Sequence, residues 1–237
     1  MTSDLRTDGS FITFHSARFE AGAEPKKGED EDVPPGATAW VSGTDAVYPA
    51  TGIPERRKTQ RYWFAVWQGE ADADRFLSAP SKHVPSLMRA SDVRGLKLAP
   101  YLHRGAQIAP FDVHKSKPGR DEPIVVVTTI GQYSREEDIL AAGQRANIAR
   151  NGLLHADGML HEMLLVPYPP HATDLFTITV WRDEGAVQRW AYRAESHREA
   201  MDFYKSTSDK PRLSFTRFLI KTSIGNWGGN IPAINAG

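Results

Sequence analysis

The residue best placed to do chemistry in this chain is His197. The stretch from 176 to 197 reads FTITVWRDEGAVQRWAYRAESH: an apolar strand over 177–181, a polar turn, then a helix. Along that helix Val187, Trp190, Ala194, His197, Met201 and Tyr204 recur at three- and four-residue steps, the spacing of one helical face. The pattern predicts one unbroken helix over 183–204, packed on a sheet through Val187, Trp190 and Met201. His197 then lies on the apolar stripe and not on the wet face. A histidine there is either a core residue with one satisfied hydrogen bond or an imidazole kept for chemistry.

An internal repeat bears on that choice. Residues 64–83, FAVWQGEADADRFLSAPSKH, align without a gap to 178–197, ITVWRDEGAVQRWAYRAESH. Both strands end in Trp, at 67 and 181. An Arg-aromatic pair follows, Arg75-Phe76 and Arg189-Trp190, and then a histidine, His83 and His197. A duplicated strand–helix unit is the economical reading. The copies differ, because Pro80 and Pro85 flank His83, and proline breaks a helix. Of the two histidines, His197 is the one expected to do chemistry.

Other constellations are weaker. The chain has no cysteine, which excludes a disulfide frame, a thiolate nucleophile and cysteine-ligated metal. His155, His161 and His171 lack metal-ligand spacing, and only His161, on a Met-rich strand, rivals His197 as a ligand. Phosphate-loop, nucleophile-elbow and H-E-x-x-H motifs are absent. Asp72, Asp74, Asp183 and Glu184 sit at helix starts, where carboxylates complement the dipole. The run PERRK at 54–58 either holds an anionic group or is a solvated charge run. In GNWGG (225–229) three glycines permit close backbone approach to a flat ligand or a neighbouring strand, and Trp227 either stacks on a ligand or plugs a turn.

The elements that must position these residues follow from composition and periodicity. With 237 residues there is length for one large or two small domains. The 29 basic and 29 acidic residues balance, so no net field recruits nucleic acid or an anionic membrane surface. No signal peptide and no transmembrane run is recognisable, and a soluble cytoplasmic protein is expected. Strands are predicted at 10–20, with Phe11, His15 and Phe19 on one side and Ile12 and Phe14 on the other, and at 40–48, 62–67, 124–130, 158–166 and 213–222. On the strand at 158–166, Met159, His161, Met163 and Leu165 share a face. A capping box, Ser134 with Glu137, starts a helix that runs to about Arg150. Residues 21–37 read as a solvated, charged loop.

The second half thus reads strand–helix–strand–strand–helix–strand, the ferredoxin-like order. Two such units predict an α+β fold of tandem ferredoxin-like repeats forming an intrachain pseudo-dimeric α/β barrel. The first repeat is expected over 1–114 with an irregular insertion at about 21–60, a linker over 115–123, and the second repeat over 124–237.

The run from Trp181 to Pro232 resembles the C-terminal half of the spheroidene monooxygenase family. The resemblance rests on VW at 180–181, RW at 189–190, SHREAM at 196–201 and GNWGGNIP at 225–232. FAVWQ (64–68), DRFLSAP (74–80), RGAQIAPF (104–111) and PIVVVTT (123–129) extend it across 60–232. The resemblance implies a haem-dependent monooxygenase that uses molecular oxygen and an electron donor on a hydrophobic or secondary-metabolite substrate. It implies haem b as cofactor with His197 on the iron. Trp190, Met201 and Tyr204 would form the walls and Trp227 would stack on the ligand. Arg193, with Arg182 and Arg189, would be within reach of the propionates. A homodimer is compatible with it. Two alternatives stay open: a cofactor-free oxygenase of the antibiotic-biosynthesis type, and a non-enzymatic small-molecule-binding barrel.

Overall fold

The computed structural model describes residues 9–231 apart from 27, 30–31, 48, 50, 52, 107–109, 132, 169–173, 209 and 228–230. Eight strands form one closed antiparallel barrel: β1 (Phe11–Arg18), β2 (Ala37–Val47), β3 (Glu55–Trp67), β4 (Asp92–Gly105), β5 (Ile124–Ile130), β6 (Met159–Pro167), β7 (Leu175–Trp181) and β8 (Leu213–Ile224). Among the described residues four α-helices accompany it: α1 (Glu70–Ser78), α2 (Glu136–Leu153), α3 (Glu184–Arg193) and α4 (Glu195–Ser206). Around the barrel the order is β1-β3-β2-β6-β7-β5-β8-β4. Each half therefore contributes four neighbouring strands in the same spatial order, β4-β1-β3-β2 and β8-β5-β7-β6. No helix among the described residues is long and apolar enough to cross a membrane.

The register makes the halves comparable residue by residue. Phe11 faces Trp67 and His15 faces Trp63 across β1 and β3; Ile124 faces Trp181 and Thr128 faces Thr177 across β5 and β7. The halves meet at a long β4–β8 pairing and, among the described residues, at a seam of three residue pairs, where Gly43 to Asp45 run against Leu165 to Pro167. Gly43 is required at that seam, because a Cβ there would lie 2.6 Å from the Val166 carbonyl oxygen.

Alternation along the strands sorts side chains between the barrel interior and the outer faces. Ile12, Phe14, Tyr62 and Val66 of the first half share one interior core with Val125, Val127, Ile178, Val180 and Phe218 of the second. On the outer face of the first sheet, Trp63, Trp67, Phe76, Phe19, Val84 and Leu87 pack into a solid layer. The predicted split of β1 holds: Ile12 and Phe14 point inward, and Phe11 and Phe19 belong to the outer layer.

Several expectations are corrected. The irregular stretch of the first half is shorter than 21–60, since 37–47 and 55–67 are strands; among the described residues no helix stands between β1 and β2. On β6 a register shift between Met159 and His161 moves Met159 to the outer face, so it does not share a side with Met163 and Leu165. Arg135 rather than Ser134 is the N-cap of α2, and no side chain caps it; Arg135 instead pairs with Glu137 and Asp138 in the first turn. The helix expected over 183–204 is two helices, with Ala194 between them at φ −68° and ψ 123°.

His15 is a buried titratable group beneath α1. It is 1% exposed, lies edge-on to Phe76 at 5.2 Å, and neither ring nitrogen has a hydrogen-bond partner. Burial lowers its pKa to about 3. The folded chain holds it neutral, while the unfolded chain takes up a proton below the ordinary histidine pKa of about 6.5. Stability is unaffected above that value and is lost as pH falls from it toward 3, by about 1.4 kcal/mol per pH unit. Denaturant melts between pH 7 and pH 4 check this: His15→Leu should remove that share of the acid slope.

Candidate functional site

The candidate site is the outer face of the second sheet and the helices over it. β7 delivers the chain outward through Trp181, which is 1% exposed and donates its indole N–H to Thr179 Oγ1 at 2.7 Å. Asp183 then caps α3, its carboxylate accepting the Ala186 N–H at 2.7 Å. Ala186 and Val187 bury against Ile124, Val126, Leu153 and Trp181, with Trp190 packed at the edge of that cluster.

α3 stops at Arg193 and leaves carbonyls of its last turn without helical partners. His197, in the first turn of α4, supplies one: its Nδ1 lies 2.9 Å from the Ala191 carbonyl oxygen. A carbonyl only accepts, so Nδ1 carries the proton and donates. Burial lowers the His197 pKa, against the opposing pull of that hydrogen bond. The ring is therefore neutral near pH 7, with an unshared pair on Nε2. A metal-ligating imidazole is oriented in this way, by a backbone carbonyl on its other nitrogen.

α4 has two useful stripes. Ser196 and Phe203 face α2: a Cβ on Gly152 would lie 2.6 Å from Ser196 Oγ, and the Arg145 guanidinium sits 4.3 Å from the Phe203 ring centre. The neighbouring stripe is His197, Met201 and Tyr204, and the Tyr204 hydroxyl donates to the Pro211 carbonyl just before β8 at 3.3 Å. All three side chains are half-buried, and no residue of α4 is fully buried despite its apolar stripe.

The outer face of the second sheet is likewise more exposed than that of the first. Where the first half places His15 and Trp63, the second places Thr128 and Thr177. His15 and Trp63 are each 1% exposed, whereas Thr128 and Thr177 are half-buried, as are Ile130, Leu213 and Phe215 on the same face. Two large rings are thus replaced by two threonines, and the outer face that is buried in the first half is more exposed in the second. The charged anchors of the helices are kept in both. Lys97 of β4 pairs with Glu70 of α1 at 2.9 Å, and Arg217 of β8 pairs with Glu184 of α3.

The structure brings together part of the predicted site. Trp190 lies beside His197, with ring centres 5.7 Å apart, and Met201 and Tyr204 share its stripe. Arg193 is exposed on the last turn of α3, next to the break. Arg182 and Arg189 are held at the surface by Asp157, at 3.2 and 3.0 Å. Trp227 is not part of this arrangement. It is 4% exposed inside the barrel, 6.5 Å from Phe14, and donates its indole N–H to the Ile224 carbonyl at 3.0 Å. It plugs one barrel end, on the other side of the sheet from α4. The close approach expected of its glycines is present at Gly225, where φ is +80° and a Cβ would collide with the Val93 carbonyl oxygen. Gly228 and Gly229 lie outside the described residues.

The rival histidines sit elsewhere. His161 is edge-on to Trp227 in the barrel at 5.6 Å. His83 stacks on Phe76 at 5.7 Å, so the repeat preserves the aromatic–histidine contact in both copies. His155 is exposed and His171 lies outside the described residues. Among the described residues no three His, Asp or Glu side chains gather as a metal-ion site would need. A lone oriented imidazole suits an iron whose remaining ligands come from a macrocycle.

Sequence reasoning overlooked Thr128 and Thr177. The signal was present, since Trp63 and Thr177 are the residues immediately before the two aligned strings.

With this geometry in hand, the chain compares with solved structures as follows. Aldoxime dehydratase matches with a TM-score of 0.55 at 9% identity, over 92% of this chain and 83% of that one. The aldoxime dehydratase OxdRE, in complex with butyraldoxime, matches with a TM-score of 0.54 at 9% identity, over 90% and 79%. The likeness is one of fold. The haem-degrading enzyme LmHde of Listeria monocytogenes matches at 11% identity over 88% and 97%, but at a TM-score of 0.32 it carries no weight. No protein-family model matches the chain, and no curated protein does.

Proposed function

We propose that this chain is a haem-dependent monooxygenase, built as two tandem ferredoxin-like repeats that close an intrachain pseudo-dimeric barrel. The observation that carries the reading is the His197–Ala191 hydrogen bond, which leaves Nε2 of a neutral imidazole unshared on a half-buried stripe of α4. The common strand order of the two halves supports the tandem arrangement. The resemblance of Trp181 to Pro232 to the spheroidene monooxygenase family supports the cofactor and the reaction class.

In this reading His197 binds the iron of haem b through Nε2, and the Ala191 carbonyl fixes the plane of its ring. When bound, haem supplies an iron position at which molecular oxygen is activated with electrons from a separate donor. Trp190, Met201 and Tyr204 wall the apolar side and exclude water. Tyr204 holds α4 to the start of β8 through the Pro211 carbonyl. Arg193, exposed beside the helix break, is placed for the propionates. Thr128 and Thr177, smaller than their counterparts His15 and Trp63, would leave room for the macrocycle on the outer face of the second sheet. The substrate class that fits the half-buried apolar face of Ile130, Leu213 and Phe215 is a small hydrophobic molecule.

An absorption spectrum of the purified chain, expressed with ample haem supply and then titrated with haemin, tests the proposal. A saturable Soret band at one haem per chain is expected. Absence of a saturable band sinks it, and oxygen-dependent turnover by the haem-free chain would then mark a cofactor-free oxygenase.

A further inference from the structure

The charged run at 54–58 resolves into three arginine environments once β3 is extended to Arg61. Arg57 pairs with Asp45 at 3.4 Å. Arg56 donates to two main-chain carbonyls of the neighbouring half, Val166 at 3.0 Å and Pro167 at 3.1 Å, and to Thr44 Oγ1 at 3.3 Å. It thereby staples the three-pair seam between β2 and β6. Arg61 is 8% exposed and donates to the Tyr168 hydroxyl. Both guanidinium groups lie over the Tyr168 ring, with Cζ at 5.3 Å for Arg56 and 4.5 Å for Arg61.

Among the described residues, neither Arg56 nor Arg61 has a carboxylate within ion-pair distance; Asp45 pairs with Arg57 and Glu162 with Arg150. Partial burial and the neighbouring Arg61 act together to lower the Arg56 pKa, opposed by Tyr168. Stapling the seam accounts for Arg56 but not for Arg61. A buried cation without a counter-charge is costly, and a tyrosine ring offsets only part of that cost. Two adjacent guanidinium groups held by one ring also present together the planar donors that pair with an oxyanion.

We propose that Arg56, Arg61 and Tyr168 form an oxyanion-binding site at the β2–β6 seam, which takes the phosphate or carboxylate group of a small ligand. Both guanidinium groups donate to the anion, and the Tyr168 hydroxyl, which accepts from Arg61, turns its own proton toward it. The site does not depend on haem, and its anion links the two halves where their pairing is shortest.

Calorimetric titration of the whole chain with inorganic phosphate, and separately with acetate, tests this, with ionic strength held constant by sodium chloride so that screening does not change. Saturable binding of one of the two anions is expected, and which one binds names the ligand group. Arg56→Gln, at an exposed position, should weaken binding by about tenfold or more, given the strength of charge-assisted hydrogen bonds. Tyr168→Phe should weaken it less, and Arg57→Gln should leave it unchanged. Arg61→Lys keeps the buried charge but loses the planar fork, and should also weaken binding in protein whose far-ultraviolet circular dichroism is that of wild type. No saturable heat with either anion, or equal losses in Arg56→Gln and Arg57→Gln, overturns the proposal.

Discussion

His197→Ala should yield a protein that does not take up haem, or that takes it up with a solvent-ligated spectrum, if His197 is the ligand as proposed. Removing only an outer-shell partner of a metal ligand typically costs about 10–100-fold in affinity, and here the proposed ligand itself is lost. The fold should survive. The Nδ1 hydrogen bond to Ala191 contributes about 0.5–1.5 kcal/mol net, and the half-buried ring leaves little cavity. Far-ultraviolet circular dichroism should therefore match wild type while the Soret band falls or shifts. His83→Ala and His161→Ala are the controls, one at the repeat-related position and one inside the barrel, and both should keep the wild-type spectrum. A His197→Ala protein with an unaltered spectrum would mean that another residue binds the iron. The lowered His197 pKa adds a pH signature. Nε2 stays unprotonated at pH values where an exposed histidine begins to charge, so haem release on acidification should begin below the ordinary histidine range.

The second half was legible because its local and tertiary signals agree. The β-branched run Ile124–Ile130 is the strand β5 with those same bounds, since both faces of the barrel wall at that point are apolar. The first half hid more. Glu55 to Gln60 are mostly charged and exposed, yet they extend β3, because Arg57, Arg56 and Glu55 pair with Asp45, Ala46 and Val47 after a register shift. A ladder partner decides such a strand, not propensity. The break at Ala194 was invisible for the opposite reason. Alanine is the strongest helix former, and the break is accompanied by a contact that spacing does not announce, the His197 ring on the Ala191 carbonyl. Both copies of the repeat interrupt their helix within one aligned position, at Ala79 and Ala194, but only the first advertises it with proline. The side of the sheet to which Trp227 belongs could not be read either, because it depends on how the barrel closes after β8. The aligned strings did place Phe76 with His83 and Trp190 with His197, and both ring pairs are in contact.

Thr177→Trp should abolish haem binding without unfolding the chain. Trp63 at the related position of the first sheet packs among Ala17, Phe19, Phe76, Val84 and Leu87 and is 1% exposed. An indole at 177 would fill the outer face of the second sheet, where the proposed macrocycle would bind. The stability change reports independently on whether that face is under-filled. In a well-packed layer the extra ring forces strain and costs about 1–3 kcal/mol. In an under-filled one it buries apolar surface, and the melting temperature is held or raised. Haemin titration and thermal melts on the same sample separate these results, and a Thr177→Trp protein with wild-type haem affinity would remove the site from this face. Trp63→Thr is the converse. It opens a filled layer with no oriented imidazole above it, so it should cost about 3–5 kcal/mol, the range for truncating a buried aromatic, and leave the haem spectrum unchanged.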